Sequence, residues 1–175
     1  MIRKILQAGD PLLRKKSKPV GGVDKKILKL VRDLKDTLAI QKDPEGVGLA
    51  APQIGKGLKI FLINHKGLEK VIINPEVLEI GKTKGRVQKT RGKQIMEGCL
   101  SLPNFYGPIK RAPSLKLRYL NGEGRVVIEE FKDFFAQIIL HEIDHLEGVL
   151  FVDRLLEQKK PLYKLVKDEW EEVEI

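Results

Sequence analysis

The sequence has very few residues that bind metal ions through sulfur or nitrogen. Its 175 residues include one cysteine and three histidines. A single cysteine excludes an internal disulfide framework and is typical of a reducing compartment. The N-terminal residues are basic, but they lack the apolar core and the small-residue cleavage site of a secretory signal. Together these absences predict a cytoplasmic protein.

Long apolar runs, internal repeats and low-complexity segments are also absent. No run approaches the roughly 20 apolar residues that a membrane-spanning helix needs, so the sequence predicts no membrane segment. Hydrophobic residues make up 42% of the chain and charged residues 33%, a balance typical of globular proteins. We therefore predict one domain over residues 1–175, which is long enough to bury a core of its own.

The net charge of +9 leaves two interpretations open. A basic protein can bind nucleic acid, an anionic surface or the ribosome. The lysines and arginines are scattered, however, and no nucleic-acid-binding motif accompanies them. This pattern favours a lysine-rich solvated surface.

Hydrophobic periodicity and turn signals predict an α+β domain, because strands are followed by a helix without regular βαβ alternation. The predicted helices are 24–41, with Asp24 as N-cap, 132–146, and an amphipathic C-terminal helix over 161–173. The predicted strands are 58–64, 71–74 (ended by Pro75), 115–120 and 126–128. Residues 46–55 are expected to form no regular element, and 81–94 a loop or hairpin.

Two of the three histidines stand in one pentapeptide, His141-Glu142-Ile143-Asp144-His145. Residues four apart lie on the same face of a helix, so both imidazoles can bind one metal ion. Glu142 then projects beside them, as in metal-assisted hydrolases that act on a polarised carbonyl. The alternative is a pair of surface histidines. Apolar residues on both sides of the motif favour a buried site instead.

A catalytic metal of this kind needs a third protein ligand and an open position. Phe151 occupies the place where one large group of zinc proteases has a third histidine. Other candidates for the third ligand are His65 and three glutamates in a charged C-terminal stretch, Glu169, Glu171 and Glu172. Cys99 is the better candidate, since it stands in a Glu-Gly-Cys-Leu-Ser segment whose glycine permits close approach. A lone cysteine is otherwise more often a small buried apolar residue.

Three segments together resemble the peptide deformylase family. They are Gly46-Val47-Gly48-Leu49-Ala50-Ala51-Pro52-Gln53, Glu97-Gly98-Cys99-Leu100-Ser101 and the histidine pentapeptide. Weaker likenesses at 10–14 and 73–76 extend the similarity over most of the chain. The resemblance implies a single catalytic α+β domain, with mixed, mostly antiparallel sheets around a central metal-binding helix and a C-terminal helix. It also implies removal of the formyl group from N-formylmethionyl nascent peptides, with release of formate.

The resemblance also implies a role for each residue of the reaction centre. One divalent ion would be held by Cys99, His141 and His145, with a water in the fourth position. The ion would be Fe²⁺ in cells, with Zn²⁺, Ni²⁺ or Co²⁺ as substitutes. Glu142 would take the proton of the attacking water and pass it to the leaving amine. The side-chain amide of Gln53 and the backbone N–H of Leu100 would meet the oxyanion.

Further residues are expected to bind the substrate or to support a ligand. The expected substrate-binding residues are Val47, Gly48, Phe134 and Ile138. Glu97 is interpreted as an anchor for a metal ligand or for the glycine segment, with an ordinary surface carboxylate as the alternative. Asp144 is expected to be a helix-surface or structural carboxylate. Tyr106 stands where some family members have a substrate-contacting arginine.

The expected partners are formylated nascent peptides and the ribosome near its exit site, and the expected state is a monomer. Two alternative functions stay open on the residues alone. One is a metallopeptidase that uses the same pentapeptide. The other is a non-catalytic ribosome or nucleic-acid binder with a structural metal, although such a site normally has four protein ligands and no open position.

Overall fold

Two antiparallel sheets and three α-helices form the part of the chain that the structure describes. The structure is a computed structural model, and it describes residues 1–42, 45–82 and 96–174. The helices are α1 (Lys25–Ala39), α2 (Asp133–Leu146) and α3 (Phe151–Glu157). The strands are β1 (Gly48–Ala50), β2 (Ile60–His65), β3 (Leu68–Ile80), β4 (Glu97–Cys99), β5 (Leu102–Gly107), β6 (Ser114–Leu120), β7 (Val126–Lys132), β8 (Leu162–Val166) and β9 (Glu169–Val173). One sheet has the order β1-β2-β3-β6-β7 and the other β4-β5-β8-β9.

Both long helices lie where the sequence predicts them. The carboxylate of Asp24 accepts hydrogen bonds from the backbone N–H groups of Lys26 and Ile27, each at 2.9 Å, and so caps α1. The apolar stripe of α1 is buried. The second helix ends at Leu146, and Gly148, two residues later, has φ +75°. A side chain there would collide with the backbone of Arg14, so both the backbone angle and the close packing require glycine.

Strand β2 forms the centre of the core because both of its faces are covered. Ile60 and Leu62 belong to the cluster that includes the buried side chains of α1. Phe61 and Ile63 belong to the cluster that includes those of α2. Successive side chains of a strand point to opposite faces, so the two helices pack on opposite sides of this sheet. Each buried side chain of this size contributes roughly 1.5–3 kcal/mol.

The second helix lies between the two sheets. Ala136 and Ile139 pack against the five-stranded sheet, while His145 contacts Cys99 at the end of β4. A third cluster, formed mainly by α3 and the four-stranded sheet, closes the far side of Cys99. The predicted α+β class, with a helix between mostly antiparallel sheets, is therefore confirmed.

Two predictions in the first half of the chain are wrong. Residues 46–55 do contain regular structure, since β1 pairs with β2 and a 3₁₀ turn follows at Ala51–Ile54. Pro75 does not end the second strand, because β3 continues to Ile80. A register shift between Ile73 and Glu76 places this proline in an irregularity of the β3–β6 pairing, where a missing N–H is tolerated.

The C-terminal region also differs from the prediction. The chain has a helix near its C-terminus, but that helix is α3, and residues 161–173 form the β8–β9 hairpin. Val166 pairs with Glu169 across a two-residue turn in which Lys167 and Asp168 have φ +48° and +65°. Such a turn matches the twist of the flanking strands. The loop or hairpin predicted over 81–94 falls, beyond Lys82, outside the described residues.

None of the described helices combines the length and the apolar character that crossing a membrane requires.

Candidate active site

The two histidines of the pentapeptide face one another on α2. Their ring centroids are 4.9 Å apart, and both side chains are buried. This is the arrangement that four-residue spacing on a helix predicts. Burial follows from the sequence around them, because the neighbouring Ile138, Ile139 and Leu146 fill the core on either side.

Cys99 completes a group of three soft ligands. Its Sγ lies 3.2 Å from Nε2 of His145, and one ligand atom from each of Cys99, His141 and His145 lies within 4.8 Å of the others. Burial alone would raise the pKa of the Cys99 thiol, but His145 and His141 outweigh burial and hold that pKa well below its usual value. A thiolate and two imidazoles are the donors that zinc and the late first-row metals prefer. The group therefore fits a divalent ion.

Glu97 orients one of the histidines. Its Oε1 lies 2.7 Å from Nδ1 of His141. Burial would raise the pKa of Glu97, but the hydrogen bonds from Arg111 and the interaction with His141 lower it to about 2. An ionised carboxylate only accepts hydrogen bonds, so Nδ1 of His141 donates and Nε2 faces the other ligands. This is how a carboxylate fixes the tautomer of a metal-binding histidine.

Arg111 is the residue of the site that the sequence analysis missed. Its Nε and Nη2 donate to the two oxygens of Glu97 at 2.7 and 2.6 Å, and Nη1 donates to Asp144 at 2.9 Å. Arg154 holds the same Asp144 from the other side, at 3.0 and 2.7 Å. Asp144 is thus a buried structural carboxylate and not part of the helix surface. These contacts form a line of charges that begins at His141, passes through Glu97, Arg111 and Asp144, and ends at the partly exposed Arg154.

Gln53 points its amide nitrogen at the metal-binding group. Its Oε1 accepts a hydrogen bond from the backbone N–H of Ala50 at 2.8 Å, and a backbone N–H requires an oxygen as its acceptor. Nε2 therefore faces Ser101 Oγ at 3.1 Å and Cys99 Sγ at 3.6 Å. The side chain is fully buried and its orientation is fixed.

Glu142 is buried beside Gly48. A Cβ at position 48 would overlap this carboxylate, so only glycine lets β1 pass so close to α2. Burial raises the pKa of Glu142 to about 7, against the lowering effect of His141 and His145. Within the described residues, Oε2 of Glu142 and Nδ1 of His145 have no hydrogen-bond partner. Buried polar atoms normally have partners, so a further group belongs beside the carboxylate of Glu142.

These residues surround one cavity of about 380 Å³. Its apolar wall includes the predicted substrate-binding residues Val47, Gly48, Phe134 and Ile138. Gln53, Glu97, Cys99, Leu100, His141 and Glu142 also line it, and His145 contacts Cys99 directly beneath. The structure thus brings all eleven predicted site residues together, and the roles assigned to them stay predictions.

The competing third ligands are not part of the metal-binding group. His65, at the end of β2, packs its ring against Phe134 and Phe135 at 4.8 and 5.5 Å. Glu169, Glu171 and Glu172 lie on β9.

Gln137 lines the cavity, and its amide donates to Glu97 at 3.4 Å.

A buried Cys-His-His group, with a carboxylate and an amide beside an apolar cavity, defines a metal-dependent hydrolase. The model of the polypeptide deformylase family matches residues 2–161, and the chain belongs to that family. The resemblance seen in the sequence is confirmed.

Individual relatives agree with this assignment. A peptide deformylase of Pseudothermotoga lettingae is 43% identical over 154 residues, which cover 87% of this chain and 82% of the relative. Peptide deformylase 1 of Clostridium acetobutylicum is 43% identical, over 90% of this chain and 97% of its own. The crystal structure of a peptide deformylase from Legionella pneumophila superimposes with a TM-score of 0.76 at 38% identity, covering 89% of this chain and 86% of that one.

Proposed function

We propose that the chain hydrolyses the formyl C–N bond of N-formylmethionyl peptides and releases formate and a free amine. The observation that carries this proposal is the group of Cys99, His141 and His145, with Glu142 and Gln53 on the wall of the same apolar cavity. Membership of the polypeptide deformylase family supports it.

The metal would be held by the thiolate of Cys99 and by both histidines. A divalent ion with three such ligands supplies a Lewis acid, which polarises a carbonyl oxygen and lowers the pKa of water. Two features of the chain prepare this site. Glu97 fixes the tautomer of His141, and the N–H of Ser101 approaches the thiolate at 3.4 Å.

Glu142 is the proton carrier of the proposed reaction. Its unpartnered Oε2 is buried at the cavity wall, where it accepts the proton of the attacking water. As the C–N bond breaks, the same carboxyl group delivers that proton to the leaving nitrogen. Water thus adds its oxygen to the formyl carbon, and its proton ends on the new amine.

Two hydrogen-bond donors would meet the oxyanion that develops on the formyl oxygen, the side-chain amide of Gln53 and the backbone N–H of Leu100. The Nε2 of Gln53 is directed towards Cys99 by the bond between Oε1 and Ala50. Leu100, next to Cys99 in the chain, lines the same cavity. Donors held in place before the reaction need no reorganisation when charge develops.

Binding of the peptide is supported by the position of two edge strands. β1 is the edge of one sheet and β4 the edge of the other, and Gly48 and Gly98 bring both to the cavity. An extended peptide can add to a sheet edge through main-chain hydrogen bonds. The cavity wall of Val47, Phe134 and Ile138 would then receive the methionine side chain.

The substitution Glu142→Gln tests the proposal. Formate release from formyl-Met-Ala-Ser should fall by a factor of at least about 10², while the bound metal, measured by elemental analysis, stays unchanged. Glu147→Gln, in a partly exposed pair with Lys59 just after the same helix, is the matched control and should keep full activity. Cleavage of an internal peptide bond by the wild type, without formate release, would refute the proposal in favour of a metallopeptidase.

We further propose that the metal in cells is Fe²⁺, with Zn²⁺, Ni²⁺ or Co²⁺ as substitutes. The support is the donor set, which suits all four ions, together with the open access of the cavity to this group. Elemental analysis of protein purified without oxygen should find iron, and exposure to air should then reduce formate release.

The proposed partners are nascent formylated peptides and the ribosome, and the proposed state is a cytoplasmic monomer. The net charge of +9 and the exposed Lys159 and Lys160 support contact with ribosomal RNA. Co-sedimentation with ribosomes at low salt, lost at high salt, is the expected result. Failure to co-sediment at any salt concentration would exclude it.

A further inference from the structure

The β8–β9 hairpin lies beyond residues 2–161, which the family model matches, and yet it borders the active site. It extends the four-stranded sheet by pairing β8 with β5, with Tyr163 opposite Tyr106. Tyr106 in turn lies opposite Gly98 of β4. Residues opposite one another on neighbouring strands share a face of the sheet. Gly98, Tyr106 and Tyr163 therefore form a row that begins beside Cys99.

Aromatic rings cover this row. A Cβ at Gly98 would lie 2.6 Å from carbons of the Tyr106 ring, so this ring lies directly over the glycine. Trp170 of β9 meets Tyr106 edge to face, with centroids 5.2 Å apart and planes at 90°. Trp170 is nevertheless 50% exposed. It therefore offers aromatic surface to a ligand.

A second cavity, of about 340 Å³, opens over this aromatic surface. Its lining residues are Met96, Pro108, Lys160, Pro161, Tyr163 and Trp170. Met96 also lines the first cavity, and Tyr106 of the first cavity contacts Trp170 of the second. The two cavities therefore adjoin, and a ligand that leaves the first along β4 arrives at the second.

The distance along β4 from Cys99 to Met96 indicates which residues of a bound peptide would reach the second cavity. Met96 precedes Cys99 by three residues, which is roughly 10 Å of extended chain. A peptide that lies along β4, with its formyl group at Cys99, reaches Met96 with its third or fourth residue. The lining favours large apolar or aromatic side chains in this place.

We infer that the β8–β9 hairpin binds the third and fourth residues of the peptide substrate and selects large apolar or aromatic side chains there. This inference rests on the proposed function, since it assigns a second binding site to the same substrate. Tyr163 and Trp170 act as specificity residues and take no part in the bond cleavage.

Two peptides of equal length test the inference, formyl-Met-Ala-Phe-Phe-amide and formyl-Met-Ala-Gly-Gly-amide. The wild type should process the first peptide with a kcat/KM about tenfold higher than the second. The reason is that moving a phenyl ring from water onto an aromatic surface stabilises the bound peptide. Trp170→Ala should lower kcat/KM for the first peptide only, so that the two kcat/KM values differ by less than twofold. Trp170→Phe should retain most of the preference for the first peptide.

Glu171→Ala, at the neighbouring position of β9 where the side chain lies on the opposite face, is the matched control and should keep the tenfold preference. Equal rates for the two peptides in the wild type would overturn the inference. The inference would also be overturned if Trp170→Ala kept the preference, or if it lowered kcat/KM equally for both peptides.

A binding measurement separates this inference from the proposed function. Trp170 is the only tryptophan of the chain, so its fluorescence reports on the second cavity without any catalysis. The unformylated peptide Met-Ala-Phe-Phe-amide should shift its emission in a saturable way, and Met-Ala-Gly-Gly-amide should not. Absence of formate release refutes the proposed function, whereas identical fluorescence responses to the two peptides refute the hairpin site.

Discussion

At the scale of single residues, the metal-binding group depends on a line of buried charges in which each neutralises the next. Cys99, His141, His145 and Glu142 were predictable because short motifs place them together on a helix or beside a glycine. Arg111 was not, because it stands 14 residues from Glu97 and 33 from Asp144, on a segment without a recognisable pattern. Only the packing of α2 against β4 gives this arginine two carboxylates to join.

Glu97→Gln tests this line of charges. The amide keeps the size of the side chain but leaves Arg111 with a buried neighbour that carries no charge, and it no longer fixes His141 as firmly. Metal affinity, measured by competition with a chelator, should fall about 10–100-fold. Glu79→Gln removes an exposed carboxylate that pairs with Lys116 at the surface and should leave the affinity unchanged. An unchanged affinity in Glu97→Gln would remove Glu97 from the support of the metal.

At the scale of elements, local signals predicted the two long helices and four of the five strands of the larger sheet, but not the C-terminal hairpin. The first helix follows from the Asp24 cap and a 3.6-residue apolar period, both of which are local. The C-terminal hairpin was mistaken for a helix because its apolar residues also fit a helical face. It forms strands because β5 supplies a pairing edge and because Lys167 and Asp168 adopt positive φ. Neither of these causes is visible in the segment itself.

The Asp24 cap gives a prediction for the first helix. Asp24→Ala removes the acceptor of two backbone N–H groups and should lower the free energy of unfolding by about 1 kcal/mol. Denaturant titration measures this, and Asp24→Asn, which keeps an acceptor oxygen, should restore most of the loss. The metal affinity should not change, because α1 packs on the face of the five-stranded sheet opposite to α2. A loss of metal together with the loss of stability would contradict this separation.

At the scale of the whole molecule, the metal-binding group joins the two sheets. Cys99 belongs to the four-stranded sheet, whereas His141 and His145 belong to the helix that packs on the five-stranded one. A bound ion therefore adds a link between two parts of the core that otherwise meet through side-chain packing and a few buried hydrogen bonds and ion pairs. Because the unfolded chain does not hold the three ligands together, an ion that binds the folded state stabilises the whole molecule by mass action.

Removal of the metal should consequently lower the thermal stability of the entire chain. At a free metal concentration 1,000 times the Kd, the ion contributes about 4 kcal/mol, which corresponds to roughly 10 °C in Tm for a chain of this size. Calorimetry with and without a chelator measures the shift, and re-addition of the ion should reverse it. Cys99→Ser weakens the link from the β4 side, so its Tm should respond much less to the chelator. A wild-type Tm that is equal in both conditions would mean that the ion does not bind the folded chain in preference to the unfolded one, and that the two sheets do not depend on it.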